Sequence, residues 1–178
     1  KCRMAVPMLL ASCGNDADSS FELIDIALQM LMSSNKVDID LRSLVDGAVN
    51  ILIPLIGLDD GNQEKRLSII FLGKETGLLN QARRRSTFIG TYPNTNGGSK
   101  ATFSFIRIVV SLAKESSAAN YWLSKHKDRW KWMINYAKDV TLQMDLGGNR
   151  KSRQIAPKNV EVIDILARIQ GMPTIEDD

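Results

Sequence analysis

The chain has 178 residues, of which 44% are hydrophobic and 24% charged, and its formal net charge is +3. These proportions are typical of one folded globular domain or a segment of a larger one, and they exclude a disordered chain and a collagen-like repeat. The apolar run at residues 51–56 contains a proline and, like every other apolar run in the sequence, is far shorter than the roughly 20 residues that cross a bilayer, so we expect no membrane-spanning helix.

The first part of the chain, up to residue 72, has apolar residues at spacings of three and four, which predict helices. A capping box formed by Ser19 and Glu22 marks the start of the first helix. Asp40 is the predicted N-cap of the second helix, which Gly57 ends after Pro54 disturbs its last turn. A third helix is predicted at residues 63–72, after the first two at 21–32 and 41–57.

Residues 73–100 differ from the rest because glycine and small polar residues are concentrated there, and we predict a flexible loop at about 82–100. Helix resumes near Thr102. The apolar stretch that follows includes β-prone residues such as Phe103 and Val109, so a strand is the alternative. Its polar residues are spaced three, four and three apart, which favours a helix buried on most of its sides. They are Ser104, Arg107, Ser111 and Lys114.

Three further helices are predicted beyond residue 115: a short one, a longer one that begins near Lys127, and a last one at 160–170. The first is short and begins at a cap formed by Ser116 or Ser117. In the second, Trp130 shares an apolar face with residues one to four turns later, so we expect Trp130 to lie in the core. At about 100° per residue, Trp132 lies on another side of this helix together with Tyr136, and we expect Trp132 to be partly exposed.

The predicted fold class is therefore all-α, with about seven helices, several of them joined by short turns. We predict an irregular stack of helix pairs similar to armadillo or HEAT units, and an irregular helical bundle is the alternative. The predicted organisation is a helical domain at 1–146, a linker at 147–157, and a terminal helix with an acidic tail at 158–178.

The sequence lacks the residues that most catalytic and metal sites need. It contains one histidine, His126, and two cysteines, Cys2 and Cys13, which cannot supply the ligands of a zinc site at the usual spacing. Asp59 and Asp60 precede a glycine, so they are interpreted as a turn and not as an acid and base pair. We therefore expect no catalytic residues, no metal and no cofactor. The low cysteine content favours a cytoplasmic or nuclear location.

Charge is distributed unevenly along the chain. Residues 1–64 and 154–178 have net charges of −6 and −3, whereas residues 65–153 hold 17 basic and 5 acidic side chains. This basic middle region either attracts the acidic ends of the same chain or binds an acidic partner. A solvated surface with scattered charges is the third interpretation.

The densest basic clusters provide the candidate partner-binding residues, because arginine and aromatic side chains are enriched in protein interfaces. One cluster is an arginine triplet, and the serine that follows it resembles the site of a basophilic kinase. The other cluster places a lysine beside aromatic residues, a combination that is also typical of surfaces that bind single-stranded nucleic acid. We expect a protein partner with an acidic surface, and nucleic acid is the alternative. The candidates are Arg83, Arg84, Arg85, Lys131, Trp132 and Tyr136, with Ser86 as the phosphorylation site.

Several short motifs resemble a known family. They are Thr91-Tyr92-Pro93-Asn94, Ser104-Phe105-Ile106, Tyr121-Trp122-Leu123 and Trp130-Lys131-Trp132-Met133. Over residues 88–144 the chain resembles the helical region C-terminal to the protease core in giant ubiquitin-specific proteases of the fat-facets type. In that family the cysteine and histidine boxes lie in a separate papain-like domain, and no stretch of this chain matches either box. The resemblance therefore implies a non-catalytic helical scaffold that belongs to a large deubiquitinating thiol protease.

Overall fold

The computed structural model describes residues 17–34, 41–86, 96–138 and 156–171. Within these ranges the protein is helical and contains no strand, which confirms the predicted all-α class. No helix in this part of the chain is both long enough and apolar enough to cross a membrane. The helices are α1 (Ala17–Ser34), α2 (Leu41–Ile56), α3 (Gln63–Leu72), α4 (Leu78–Ser86), α5 (Asn96–Glu115), α6 (Ser117–Lys125), α7 (Lys127–Trp130) and α8 (Ala156–Gln170), with a further helical stretch at 132–138.

The chain forms two compact units, Lys1–Trp122 and Leu123–Asp178. The division falls inside α6, whereas the sequence predicts a linker at 147–157. Residues 147–155 of that linker and the acidic tail lie outside the described residues, and α8 already begins at Ala156.

In the first unit, α5 packs against both α4 and α2. Helix α1 packs against α2 and α3, and α3 also contacts α4. The described apolar side chains of α5 are all buried, as predicted, and even Ser104 of the predicted polar stripe is only 1% exposed. The buried apolar residues of α5 are Phe105, Ile106, Ile108, Val109, Val110, Leu112 and Ala113.

The glycine-rich stretch contains more helix than the sequence predicts. Residues 82–86 belong to α4 and residues 96–100 to α5, so the predicted flexible loop at 82–100 is wrong at both ends. Residues 87–95 lie outside the described part of the chain. Tertiary packing explains the difference, because α4 buries its few apolar side chains in the core beside α5 and thereby overrides weak local propensity. Those side chains are Leu78, Leu79 and Ala82.

Helix ends agree with the sequence in part. The first helix begins at Ala17, so Ser19 and Glu22 lie inside it and do not form the predicted cap. The second helix does end before Gly57, whose amide donates a hydrogen bond of 3.1 Å to the carbonyl of Ile53. Of the two serines proposed to cap α6, Ser116 is the cap, because the amide of Ala119 donates to its hydroxyl at 3.2 Å.

The core of the second unit is built around Trp130. Its side chain is fully buried, and its indole N–H donates a hydrogen bond of 2.8 Å to the carbonyl of Leu123. The predicted long helix from Lys127 is interrupted at Lys131, where a turn separates α7 from the stretch at 132–138. Lys127 Nζ also donates to the carbonyl of Gln170 at 2.8 Å and so satisfies an end group of α8.

Candidate functional site

An open groove lies where the end of α3 is followed by a turn and then by α4. Its volume is about 560 Å³. Leu72 ends α3, Lys74 lies in the turn, and the other lining residues lie on α4. Those residues are spaced three and four apart, which places their side chains on one face of the helix. We call this site the basic groove, and it is lined by Leu72, Lys74, Asn80, Arg83 and Arg84.

The backbone beneath the basic groove is held by hydrogen bonds from α4 to the end of α3. Asn80 Nδ2 donates to the carbonyls of Leu72 and Gly73, at 3.0 and 3.1 Å. The amide of Gly77 donates to the Gly73 carbonyl at 3.0 Å. These contacts satisfy carbonyls that the end of α3 would otherwise leave unpaired, and they fix α4 relative to the turn.

The positive charge of the basic groove comes from three exposed side chains. Lys74, Arg83 and Arg84 are all exposed, and Arg84 Nη2 donates a hydrogen bond of 3.4 Å to the carbonyl of Lys74. Glu75 is the acidic neighbour within the same turn. Three cations beside the apolar side chain of Leu72 favour a ligand with carboxylate or phosphate groups.

Ser86 and Arg85 complete the arginine cluster that the sequence singled out. Ser86 is the last residue of α4, is partly exposed, and donates through Oγ to the carbonyl of Arg83 at 2.7 Å. Arg85 also belongs to α4, but its side chain lies outside the described part of the structure. The structure therefore brings Arg83, Arg84 and Ser86 together on the last turns of one helix.

The second candidate cluster belongs to the other unit. The rings of Trp132 and Tyr136 meet edge to face, with centroids 6.2 Å apart, and the partial exposure expected for Trp132 is confirmed. Lys131 is exposed and lies 2.9 Å from Asp128, whose pKa is lowered by the hydrogen bond from that lysine. An exposed ion pair of this kind contributes little to stability. The structure thus places these three candidate side chains on neighbouring turns.

Sequence reasoning missed a buried arginine at the start of α3. Arg66 is fully buried and forms two hydrogen bonds of 2.6 Å to the two carboxylate oxygens of Asp60. It also donates to the Leu58 carbonyl at 2.6 Å and lies 3.4 Å from the hydroxyl of Ser20 on α1. The bonds from Arg66, together with that from the amide of Asn62, hold the pKa of Asp60 well below its ordinary value.

A signal for this ion pair does exist in the sequence. Arg66 precedes Ile70 by four residues, so both lie on the apolar face of α3 that also contains Leu67. A charged residue on a buried helix face needs a partner of opposite charge, and Asp60 is the nearest carboxylate in the preceding turn. Because Arg66 is fully buried and both of its Nη atoms donate to partners within the protein, this pair holds the turn against α3 and is not a binding surface.

The described residues contain no group of three or more histidine, cysteine or acidic side chains arranged to hold a metal. His126 is half-buried between α6 and α7, whereas Cys2 and Cys13 lie outside the described residues. No family model, curated protein or solved structure matches the chain. The resemblance to giant ubiquitin-specific proteases therefore stays a prediction.

Proposed function

We propose that this chain is a non-catalytic helical module that binds an acidic surface of a protein partner through the basic groove. The observation behind the proposal is the convergence of Lys74, Arg83 and Arg84 on one groove with an apolar residue beside them. Guanidinium groups bind carboxylates through paired hydrogen bonds, and the side chain of Leu72 offers contact to an apolar group of the partner.

A protein partner is favoured over nucleic acid because the tryptophans are not presented as a stacking surface. Trp122 is buried and stacks on Phe71 with ring centroids 5.0 Å apart, and Trp130 is fully buried. Single-stranded nucleic acid is bound by exposed aromatic rings that alternate with cations. Among the three tryptophans, Trp132 alone is partly exposed, and it lies in the other unit from the basic groove.

Membership of a larger deubiquitinating enzyme is the second part of the proposal, and it rests on the resemblance of the aromatic motifs. Two of those motif residues, Trp122 and Trp130, are core residues, as expected if they maintain a helical scaffold. The direct test is the open reading frame around this chain. A papain-like protease domain upstream supports the proposal, and a complete frame without one contradicts it.

Binding is tested by fluorescence anisotropy with a labelled ten-residue glutamate peptide, using a glutamine peptide of equal length as the control ligand. We expect the double variant Arg83→Glu and Arg84→Glu to bind the glutamate peptide at least about tenfold more weakly than the unchanged protein. The matched control is Arg129→Glu with Lys138→Glu, which makes the same change of charge at exposed sites in the second unit.

Two results would contradict the proposal. Equal losses of affinity for the glutamate peptide in the two double variants would mean that net charge, and not the basic groove, determines binding. Preferential binding of a single-stranded oligonucleotide would identify nucleic acid as the partner. In that case the logarithm of the binding constant should fall against the logarithm of the salt concentration with a slope of several units.

A further inference from the structure

Ser86 is the last residue of α4 and follows the two arginines of the basic groove, Arg83 and Arg84, by three and two residues. Its hydroxyl donates to the carbonyl of Arg83, which lines the groove. We infer that Ser86 is a phosphorylation site and that its phosphate closes the basic groove to an acidic partner. This inference rests on the proposed function, because it describes the regulation of the same site.

The position of Ser86 suits recognition by a kinase that selects basic substrates. Arg83 and Arg84 precede it by three and two residues, and both side chains are exposed. Kinases bind their substrates in an extended form, so the last turn of α4 must open. Ser86 is the final residue of that helix, and terminal turns open at little cost in free energy.

The modification is a phosphoryl transfer from ATP. A bond forms between Ser86 Oγ and the γ-phosphorus, while the bond from that phosphorus to the bridging oxygen of ADP breaks. The hydroxyl proton passes to the catalytic aspartate of the kinase. The products are phosphoserine and ADP, so the atoms and charges balance.

Charge explains why the phosphate closes the groove. Phosphoserine has a charge of about −1.5 to −2 at neutral pH, which offsets at least half of the charge on Lys74, Arg83 and Arg84. The partial negative charge at the end of α4 repels the phosphate, but it is only about half an elementary charge. The full charge of the Arg83 guanidinium, a neighbour of Ser86 at a spacing of three residues, outweighs this repulsion, and the phosphate competes for it with carboxylates of the partner.

The experiment treats the full chain with MgATP and the catalytic subunit of the cyclic-AMP-dependent protein kinase. Fragmentation mass spectrometry locates the phosphate, and anisotropy with the glutamate peptide measures binding before and after treatment. We expect one phosphate on Ser86 and at least about tenfold weaker binding. The Ser86→Ala variant should bind like the untreated protein and should keep that affinity after treatment.

Failure of the proposed function can be distinguished from failure of this inference. If untreated protein does not bind the peptide, the proposed function is wrong, and the inference is judged by the site of the phosphate and by its ³¹P titration. A second phosphate pKa that is lower in folded than in urea-unfolded protein supports contact with Arg83 and Arg84. Equal pKa values or the absence of phosphate from Ser86 overturns the inference, and so does unchanged binding after modification in protein that bound the peptide before treatment.

Discussion

Among single residues, Asp60 gives the clearest prediction of how the stability of the protein depends on pH. Its carboxylate accepts two hydrogen bonds from Arg66 and one from the Asn62 amide, so its pKa in the folded protein lies well below the ordinary value of 3.8. A lowered folded-state pKa stabilises the protein above the pKa of the unfolded chain, and this contribution is lost as the pH falls below it. We expect the free energy of unfolding to fall more steeply between about pH 5 and pH 2 in the unchanged protein than in Asp60→Asn.

Urea denaturation at a series of pH values measures this difference. Asp59→Asn is the matched control, since it removes the same charge one residue away at an exposed position with no ion pair to another described residue. The control should keep the steep dependence of the unchanged protein. If Asp60→Asn keeps it too, the lowered pKa of Asp60 does not contribute to stability.

The two tryptophans on either side of Lys131 should respond differently to truncation. Trp130 is fully buried and hydrogen-bonded, so Trp130→Ala should lower the free energy of unfolding by about 3–5 kcal/mol. Trp132 is only half-buried, and Trp132→Ala should lower it by about 1 kcal/mol. Thermal and urea denaturation provide the comparison. Acrylamide quenching of single-tryptophan variants adds an independent test, because free quenching of Trp130 would contradict its place in the core.

At the scale of helices and turns, two glycines should respond to alanine in opposite directions. A Cβ atom on Gly77 would lie 2.7 Å from the carbonyl oxygen of Gly73 and from the carbonyl carbon of Leu72, and neither backbone atom can move independently. Gly77→Ala should therefore destabilise the protein by about 1–3 kcal/mol. Gly47 lies inside α2 with open space around it, and Gly47→Ala should stabilise by about 0.5–1 kcal/mol. The melting temperatures of the two variants should lie on opposite sides of that of the unchanged protein.

Periodicity predicted the helices that have a regular apolar face, but it could not predict α4. The bounds of α3 and the end of α2 at Gly57 agree with the structure because local patterns determine them. Helix α4 contains three consecutive arginines and few apolar residues, so its stability depends on packing beside α5. The stack of armadillo-like pairs stays a prediction, since spacing within a helix carries no information about its partners.

The basic groove likewise combines residues that the sequence pattern reveals with residues that only the fold brings together. Arg83 and Arg84 were found as a charge cluster because they are neighbours in sequence. Lys74 and Asn80 lie outside that cluster, and only the turn between α3 and α4 brings them to the same groove. Arg66 was missed for the opposite reason, because its charge suggested the polar side of a helix while its spacing placed it on the buried side.

At the scale of the whole molecule, α6 belongs to both compact units. Trp122 stacks on Phe71 in the first unit, whereas Leu123 accepts a hydrogen bond from Trp130 in the second. Loss of α6 removes a core residue from each unit, so we expect the two units to unfold in one transition. Tryptophan fluorescence of the unchanged protein reports on the surroundings of Trp122 and Trp130, and circular dichroism of the same sample reports on all helices. Midpoints that differ between the two signals would show that the units unfold separately.

The stack of Trp122 on Phe71 also has a consequence for the order of events during synthesis. Chains fold from the N-terminus as they leave the ribosome, and a core can close only when its last contributing residue has emerged. Phe71 belongs to α3, but its ring partner is made 51 residues later, at the end of the first unit. Until α6 emerges from the exit tunnel, one face of Phe71 therefore lacks this partner, so the core of the first unit cannot close before about 122 residues have left the ribosome.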